Sequence, residues 1–286
     1  MKWNRARRSS NVVDRRGRGV KATGGLSIVG VLVVLAISYF TGQNPLELLS
    51  ALNQGGGSAQ TQQQPGGAPP ANDQTAAFIE SILGETEDVW GSIFKASGSQ
   101  YPAPKLNLFS GSVTSACGRA GASSGPFYCP GDRQLYIDTS FFQEMRTRLG
   151  GGGDFAEAYV IAHEVGHHIQ TLTGISAKVN DIRRRGGNVE GADGPLVRLE
   201  LQADCYAGVW GHVAQQRHGW LGPGDIEEAL NTATAIGDDR LQRQAGRGVM
   251  PDAFTHGSSE QRVRWFKRGF ESGDPQQCDT FSASRL

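Results

Sequence analysis

Five consecutive residues have the types and spacing to hold a metal ion and use it: His163-Glu164-Val165-Gly166-His167. Residues four apart on an α-helix stand on one face, so the imidazoles of His163 and His167 can grip one ion from successive turns. Glu164 is rotated by roughly 100° from His163, which sets its carboxylate beside the ion's open position, where it can take a proton from water. His-Glu-x-x-His on a helix is the pattern of a zinc peptidase, two imidazole ligands and a general base.

That chemistry needs a helix. Asp154 followed by Glu157, after the break at Gly150 to Gly153, reads as a capping box, and Gly174 reads as the stop. Phe155, Tyr159, Ala162, Ile169 and Leu172 supply the apolar positions of a buried helix. Two ordinary polar His on a solvated helix would give the same five letters, so the remaining chain has to decide.

The chain has 286 residues, 38% hydrophobic and 20% charged, which fits one sizeable domain with appendages. Its 28 basic and 28 acidic residues balance, but not evenly along the sequence. Residues 1 to 21 hold eight Lys or Arg against Asp14, leaving 20 basic and 27 acidic residues, a net of −7, for 22 to 286. A basic nucleic-acid-binding arm is disfavoured by the apolar stretch directly behind these cations. From Ala22 to Leu46 there is no charge, and Leu26 to Phe40 is Leu, Ile, Val and small residues. A run of about 20 residues can span a bilayer, and the basic residues before it predict a cytoplasmic N-terminus. The expected organisation is a basic cytoplasmic tail (1–21), an uncleaved transmembrane helix (22–46), a flexible Gly/Gln/Pro spacer (47–72) and an extracytoplasmic domain (73–286). A cleaved signal peptide is the weaker reading, since Ala36-Ile37-Ser38 is a poor cleavage site.

Within the domain, Asp73 to Ala96 has helical apolar spacing, with a break expected at Gly84. Leu106 to Cys117 and Phe127 to Asp138 alternate as strands around a turn at Cys-Pro-Gly-Asp 129–132, which predicts a small antiparallel sheet, structural or offering an edge to an extended peptide. A short helix is expected over Ser140 to Leu149. Polar Ala177 to Gly194 reads as an irregular connection. Further helices are expected over Leu196 to Ala214 after Pro195, from Asp225 with Glu228 as its cap, and from Ser258 with Gln261 to about Phe270. The fold class is α+β, mostly helical.

Two His do not complete a catalytic zinc site. The longer motif with Gly and His three and six positions past the second ligand is excluded, because Gln170 and Thr173 stand there. Glu200 and Asp204 are acids one turn apart on an otherwise apolar helix, a costly placement unless they are paired or metal-bound. His163-Glu164-x-x-His167 with Glu200-x-x-x-Asp204 resembles the gluzincin arrangement. More closely, three runs resemble the bacterial neutral zinc metallopeptidase family of the YpfJ type: His163 to Gln170, Glu200 to Gly208, and Thr255-His256-Gly257-Ser258-Ser259-Glu260-Gln261-Arg262. The resemblance extends to the apolar run and spacer and implies a zincin-like peptidase domain. It implies Glu200 as third ligand of one Zn2+, Asp204 as the group orienting His163, and His256 as a donor to the oxyanion of a tetrahedral intermediate. Tyr206 and Tyr136 are lesser candidates for that donor, His212 is a reserve ligand, and His168 points to another face of its helix.

Cys117, Cys129, Cys205 and Cys278 contain no C-x-x-C pair, so a four-thiolate zinc site is disfavoured. Disulfides are permitted outside the cytoplasm; Cys117 with Cys129 would close a short loop and Cys205 with Cys278 would tie the end of the chain to the Glu200 helix, but the sequence leaves the connectivity open. The expected activity is hydrolysis of peptide bonds in a peptide or protein substrate, with no nucleic acid as partner. A membrane-tethered binding protein with a structural zinc, and a hydrolase of a non-peptide amide, remain open alternatives.

Overall fold

The computed structural model describes residues 1–16, 66–121, 124–149, 152–246 and 248–286. Met1–Arg15 and Gly66–Leu286 form one compact unit. Helix α1 (Gln74–Ala96) is capped by Asp73, whose side chain accepts the Ala76 N–H at 3.0 Å. It runs unbroken through Gly84, where a break was expected. A Cβ on Gly84 would sit 2.5 Å from the Arg7 carbonyl oxygen, so that glycine is the point where the N-terminal segment lies against the helix.

The segment read from sequence as a tail is a working part of the fold. Its strand β1 (Val12–Asp14) pairs parallel with β2 (Lys105–Phe109), with Val12 opposite Leu106 and Asp14 opposite Leu108. Next along the chain are the hairpin β3 (Ser112–Ser115) and β4 (Gly118–Gly121), then β5 (Phe127–Cys129) and β6 (Gln134–Asp138). The main sheet has the order β1-β2-β6-β5; β2 and β6 are parallel, and only β5 runs antiparallel, against β6. The expected antiparallel sheet is therefore mixed. Residues distant in sequence supply its parallel strands, which local alternation cannot reveal.

Past α2 (Ser140–Glu144) and one π-helical turn (Met145–Leu149), the chain enters α3 (Asp154–Leu172), which carries the His-Glu-x-x-His residues. The expected capping box is absent. Gly153 is the N-cap at φ 113°, and the Phe155 N–H is taken by the Glu228 carboxylate at 3.2 Å, from a different helix. Gly174, at φ 78°, ends α3 as expected. Helix α4 (Ile175–Arg184) replaces part of the expected irregular connection; Val179 is its one buried residue, too weak an apolar signal to read. Helix α5 (Pro195–His218) begins with its proline in the first turn. Then come α6 (Asp225–Ala235), capped by Gly224 and not by Asp225, and α7 (Asp238–Gln244). The capping box of α8 (Ser259–Ser272), Ser258 with Gln261, forms as read.

One continuous core joins the sheet (Leu106, Leu108, Leu135, Ile137) to Ile79, Ile82 and Trp90 of α1, Phe155 and Tyr159 of α3, Trp210 of α5 and Phe266 of α8. Both disulfides allowed by the sequence, Cys117–Cys129 and Cys205–Cys278, are formed. Among the described residues no helix is long and apolar enough to cross a membrane; the expected span at 22–46 lies outside them, as does most of the spacer.

Candidate metal centre

Glycine sets the distance between the two ligand-bearing helices. A Cβ on Gly166 would meet the Cα, Cβ and O of Ala203 at 3.0 to 3.1 Å, so α3 and α5 touch backbone to backbone beside the site. Helix α8 is drawn in the same way: a Cβ on Gly208 would lie 2.2 Å from the Phe266 oxygen, and one on Gly269 would lie 1.9 Å from the Cys205 oxygen. Three helices thus converge on a few residues, as close packing at glycine permits.

There His163 and His167, one turn apart, face Glu200 across the α3–α5 contact. Nε2 of His163 is 3.2 Å from one Glu200 carboxylate oxygen and Nε2 of His167 is 3.5 Å from the other. One ligand atom from each of the three lies within 4.8 Å of the others. Two imidazole nitrogens and a carboxylate oxygen are the protein donor set of a catalytic zinc, and the residues fit that ion. Burial works against ionisation of Glu200, yet the two imidazoles hold its carboxyl well below the usual range.

Both candidate His ligands are held from behind. Nδ1–H of His163 donates to Asp204 Oδ1 at 2.8 Å, which leaves Nε2 facing the site. Asp204 is fully buried and accepts three further bonds: the Tyr159 hydroxyl at 2.6 Å and a two-pronged grip from Arg262, with Nε on Oδ2 and one terminal nitrogen on Oδ1, both at 2.8 Å. Burial would raise the Asp204 carboxyl, but Arg262 and His163 bring it down to about 2. Burial would likewise lower the His163 imidazole, which the Asp204 charge instead raises to about 10. His167 donates through Nδ1–H to Gln170 Oε1 at 2.9 Å, and Gln170 in turn donates to the Leu199 carbonyl at 2.6 Å. Such outer partners fix the tautomer and direction of a metal-binding His.

Glu164 is buried beside the ligands at 8% exposure. Burial raises its carboxyl, while His167, His163 and a hydrogen bond from the Tyr128 backbone N–H pull the other way. Tyr128 belongs to β5, so the edge strand of the sheet runs past the general-base candidate. His168 accounts for that placement. It is buried, accepts at Nδ1 from the Tyr128 hydroxyl at 3.1 Å and donates from Nε2 to the Pro102 carbonyl at 2.7 Å, which clamps β5 to α3.

His256 comes close enough to Glu200 for that charge to raise its pKa, though the larger cause is its hydrogen bond with Asp238 at 3.2 Å. Asp238 also accepts the backbone N–H groups of Thr255, His256 and Gly257 on one oxygen, so a single carboxylate shapes the loop that presents His256. The lesser candidates lie elsewhere. Tyr136 donates to Asp132, Tyr206 packs on Trp90, and His212 donates to the Phe270 carbonyl. Sequence reasoning passed over Arg262, Tyr159, Gln170 and Asp238. Arg262 had a readable signal: it shares the buried face of α8 with Trp265, Phe266 and Gly269, where an unpartnered cation would be costly.

Residues 1–281 match the profile of a family described as "Putative neutral zinc metallopeptidase". The chain belongs to this family. It is 46% identical to the uncharacterized protein YpfJ of Escherichia coli (strain K12), over 99% of this chain and 100% of that one. It is 44% identical to an uncharacterized protein of Mycobacterium tuberculosis (strain H37Rv), over 73% of each chain. No solved structure matches it.

Proposed function

We propose that this chain is a zinc-dependent endopeptidase with a gluzincin-type site: His163, His167 and Glu200 hold the ion, Glu164 is the general base and His256 serves the transition state. The observation that carries the reading is the convergence of two imidazoles and Glu200 with Glu164 buried at their side, since a structural zinc site has no use for that fourth group. Zinc bound there supplies Lewis acidity toward a carbonyl oxygen and a water molecule. Glu164, whose carboxyl is raised by burial, takes a proton from the attacking water and returns it to the leaving amine. His256, held by Asp238 with its charged form favoured, donates to the oxyanion, where charge develops only during reaction. Among the described residues β5 has no strand on its outer edge, so an extended peptide can pair with it beside Glu164. Two disulfides support a site of action outside the cytoplasm, and the uncharged run at 22–46 supports contact with a membrane.

The test is cleavage of a diverse peptide library by the zinc-loaded full chain, read by mass spectrometry beside Glu164→Gln at equal zinc content. Cuts by the parent that fall at least about a hundredfold in the variant are expected. A zinc-loaded parent that cuts nothing would favour the non-catalytic binding protein.

A further inference from the structure

The N-terminal segment is seated on the domain by contacts of several kinds along its length. Backbone bonds run from Lys2 N–H to the Trp220 carbonyl, from Ser9 N–H to the Glu80 carbonyl and from Leu106 N–H to the Asn11 carbonyl, and β1 continues them into the sheet. Trp3 packs edge-on against Phe78, and Val12 is buried at 5% exposure. Glu87 of α1 is itself buried and accepts from Arg7 at 2.6 Å, Ser9 at 2.6 Å and Asn11 at 2.7 Å; undocking the segment would remove all three partners at once. Gly84 is cut to fit the Arg7 carbonyl, at a helix position where glycine otherwise weakens the helix. The family match begins at residue 1 and so includes this segment.

The chain also comes back to where it leaves. Asp14 and Gly67 exchange backbone bonds at 2.7 and 3.2 Å, and a Cβ on Gly66 would run into the Val13 side chain at 2.1 Å. The residues before and after the apolar run are therefore neighbours in one folded unit.

We infer that Met1–Arg15 lies on the same side of any membrane as the candidate metal centre. A single crossing with the N-terminus inside and the domain outside would require Glu87, the β2 edge and the Gly84 notch all to lose their partners. The charge pattern that suggested a cytoplasmic tail has a different cause. Arg7 pairs with Glu87 and Asp88, Arg8 lies 3.9 Å from Glu80, Arg5 donates to the His218 carbonyl and Arg15 to Asn107. Those cations serve the fold, and the positive-inside rule counts them as if they were free.

All four cysteines are in disulfides, so an added cysteine is a unique thiol. Ser10→Cys in the segment and Ser284→Cys in the domain are conservative changes at exposed positions. In spheroplasts making the full chain, a membrane-impermeant maleimide should treat the two alike, labelling both before lysis or both only after it. Labelling of one before lysis and the other only after it would overturn the inference. In the same cells a short, permeant bismaleimide should join the two thiols of an Arg7→Cys, Asp88→Cys double variant; absence of that link would show the segment undocked and would equally overturn it.

Discussion

At the scale of residues, the site is defined as much by Arg262 as by the ligands. Asp204 is asked to orient His163 from a fully buried position, and one carboxylate with one imidazole leaves a charge there uncompensated. The fork of Arg262 supplies the balance and fixes the carboxylate plane, and the Tyr159 hydroxyl joins His163 and Arg262 as a third donor on Oδ1. Arg262→Met should therefore cost roughly 3–5 kcal/mol of stability, the usual price of stranding one member of a buried pair. It should also weaken zinc binding by about 10–100-fold through the loosened His163. Denaturant unfolding and chelator competition read the two effects separately. Arg262→Lys, which keeps charge without the fork, should recover less of the zinc affinity than of the stability. A zinc affinity untouched in both variants would mean that Asp204 holds His163 without help.

At the scale of elements, what matters is how near α3 comes to α5. Gly166→Ala gains about 1 kcal/mol in helix propensity and meets overpacking of roughly 1–3 kcal/mol against Ala203, so thermal stability should change little or fall. Zinc affinity should drop clearly, because Glu200 would be pushed away from the two imidazoles; chelator titration showing parent-like affinity would separate the helix spacing from the site. The same helices mark how much was legible beforehand. The His-Glu-x-x-His helix, the Pro195 helix and the Ser258 cap could be read because their signals are local: two His one turn apart, a proline in the first turn, a cap and its reciprocal partner. The cap on α3 was misread because a first-turn N–H, that of Phe155, is taken by Glu228 from far along the chain and not by a local side chain. Helix α4 was missed because its apolar residues Ile175, Val179 and Ile182, although at helical spacing, are few among charged ones, and only Val179 is buried. Glu200 was identifiable as an acid where acids are costly, whereas Gln170 and Asp238 resemble any polar residue until their partners are seen.

At the scale of the whole molecule, the two ends of the chain are secured by different means. Cys278 is bonded to Cys205, next to Asp204 on the ligand helix, and this bridge closes a separation of 73 residues against 12 for Cys117–Cys129. Loop entropy alone gives about 4 kcal/mol for the long closure and about 3 kcal/mol for the short one. Replacing Cys205 and Cys278 by Ala should accordingly lower the unfolding midpoint more than replacing Cys117 and Cys129, and only the first change should also weaken zinc binding; equal effects on both properties would detach the C-terminal bridge from the site. The N-terminal segment has no covalent tie and is held by strand pairing, ion pairs and packing, and this governs the order in which the molecule can be completed. Val12 has no strand to join until Leu106 has been synthesised, and Lys2 has no acceptor until Trp220 has been. Residues 1–14 are thus synthesised well before the strands and helices that hold them, and contacts so distant in sequence slow folding. During that wait the edge of β2 and the carboxylate of Glu87 stand uncovered, so the nascent chain is most vulnerable at the site its own first residues will later close.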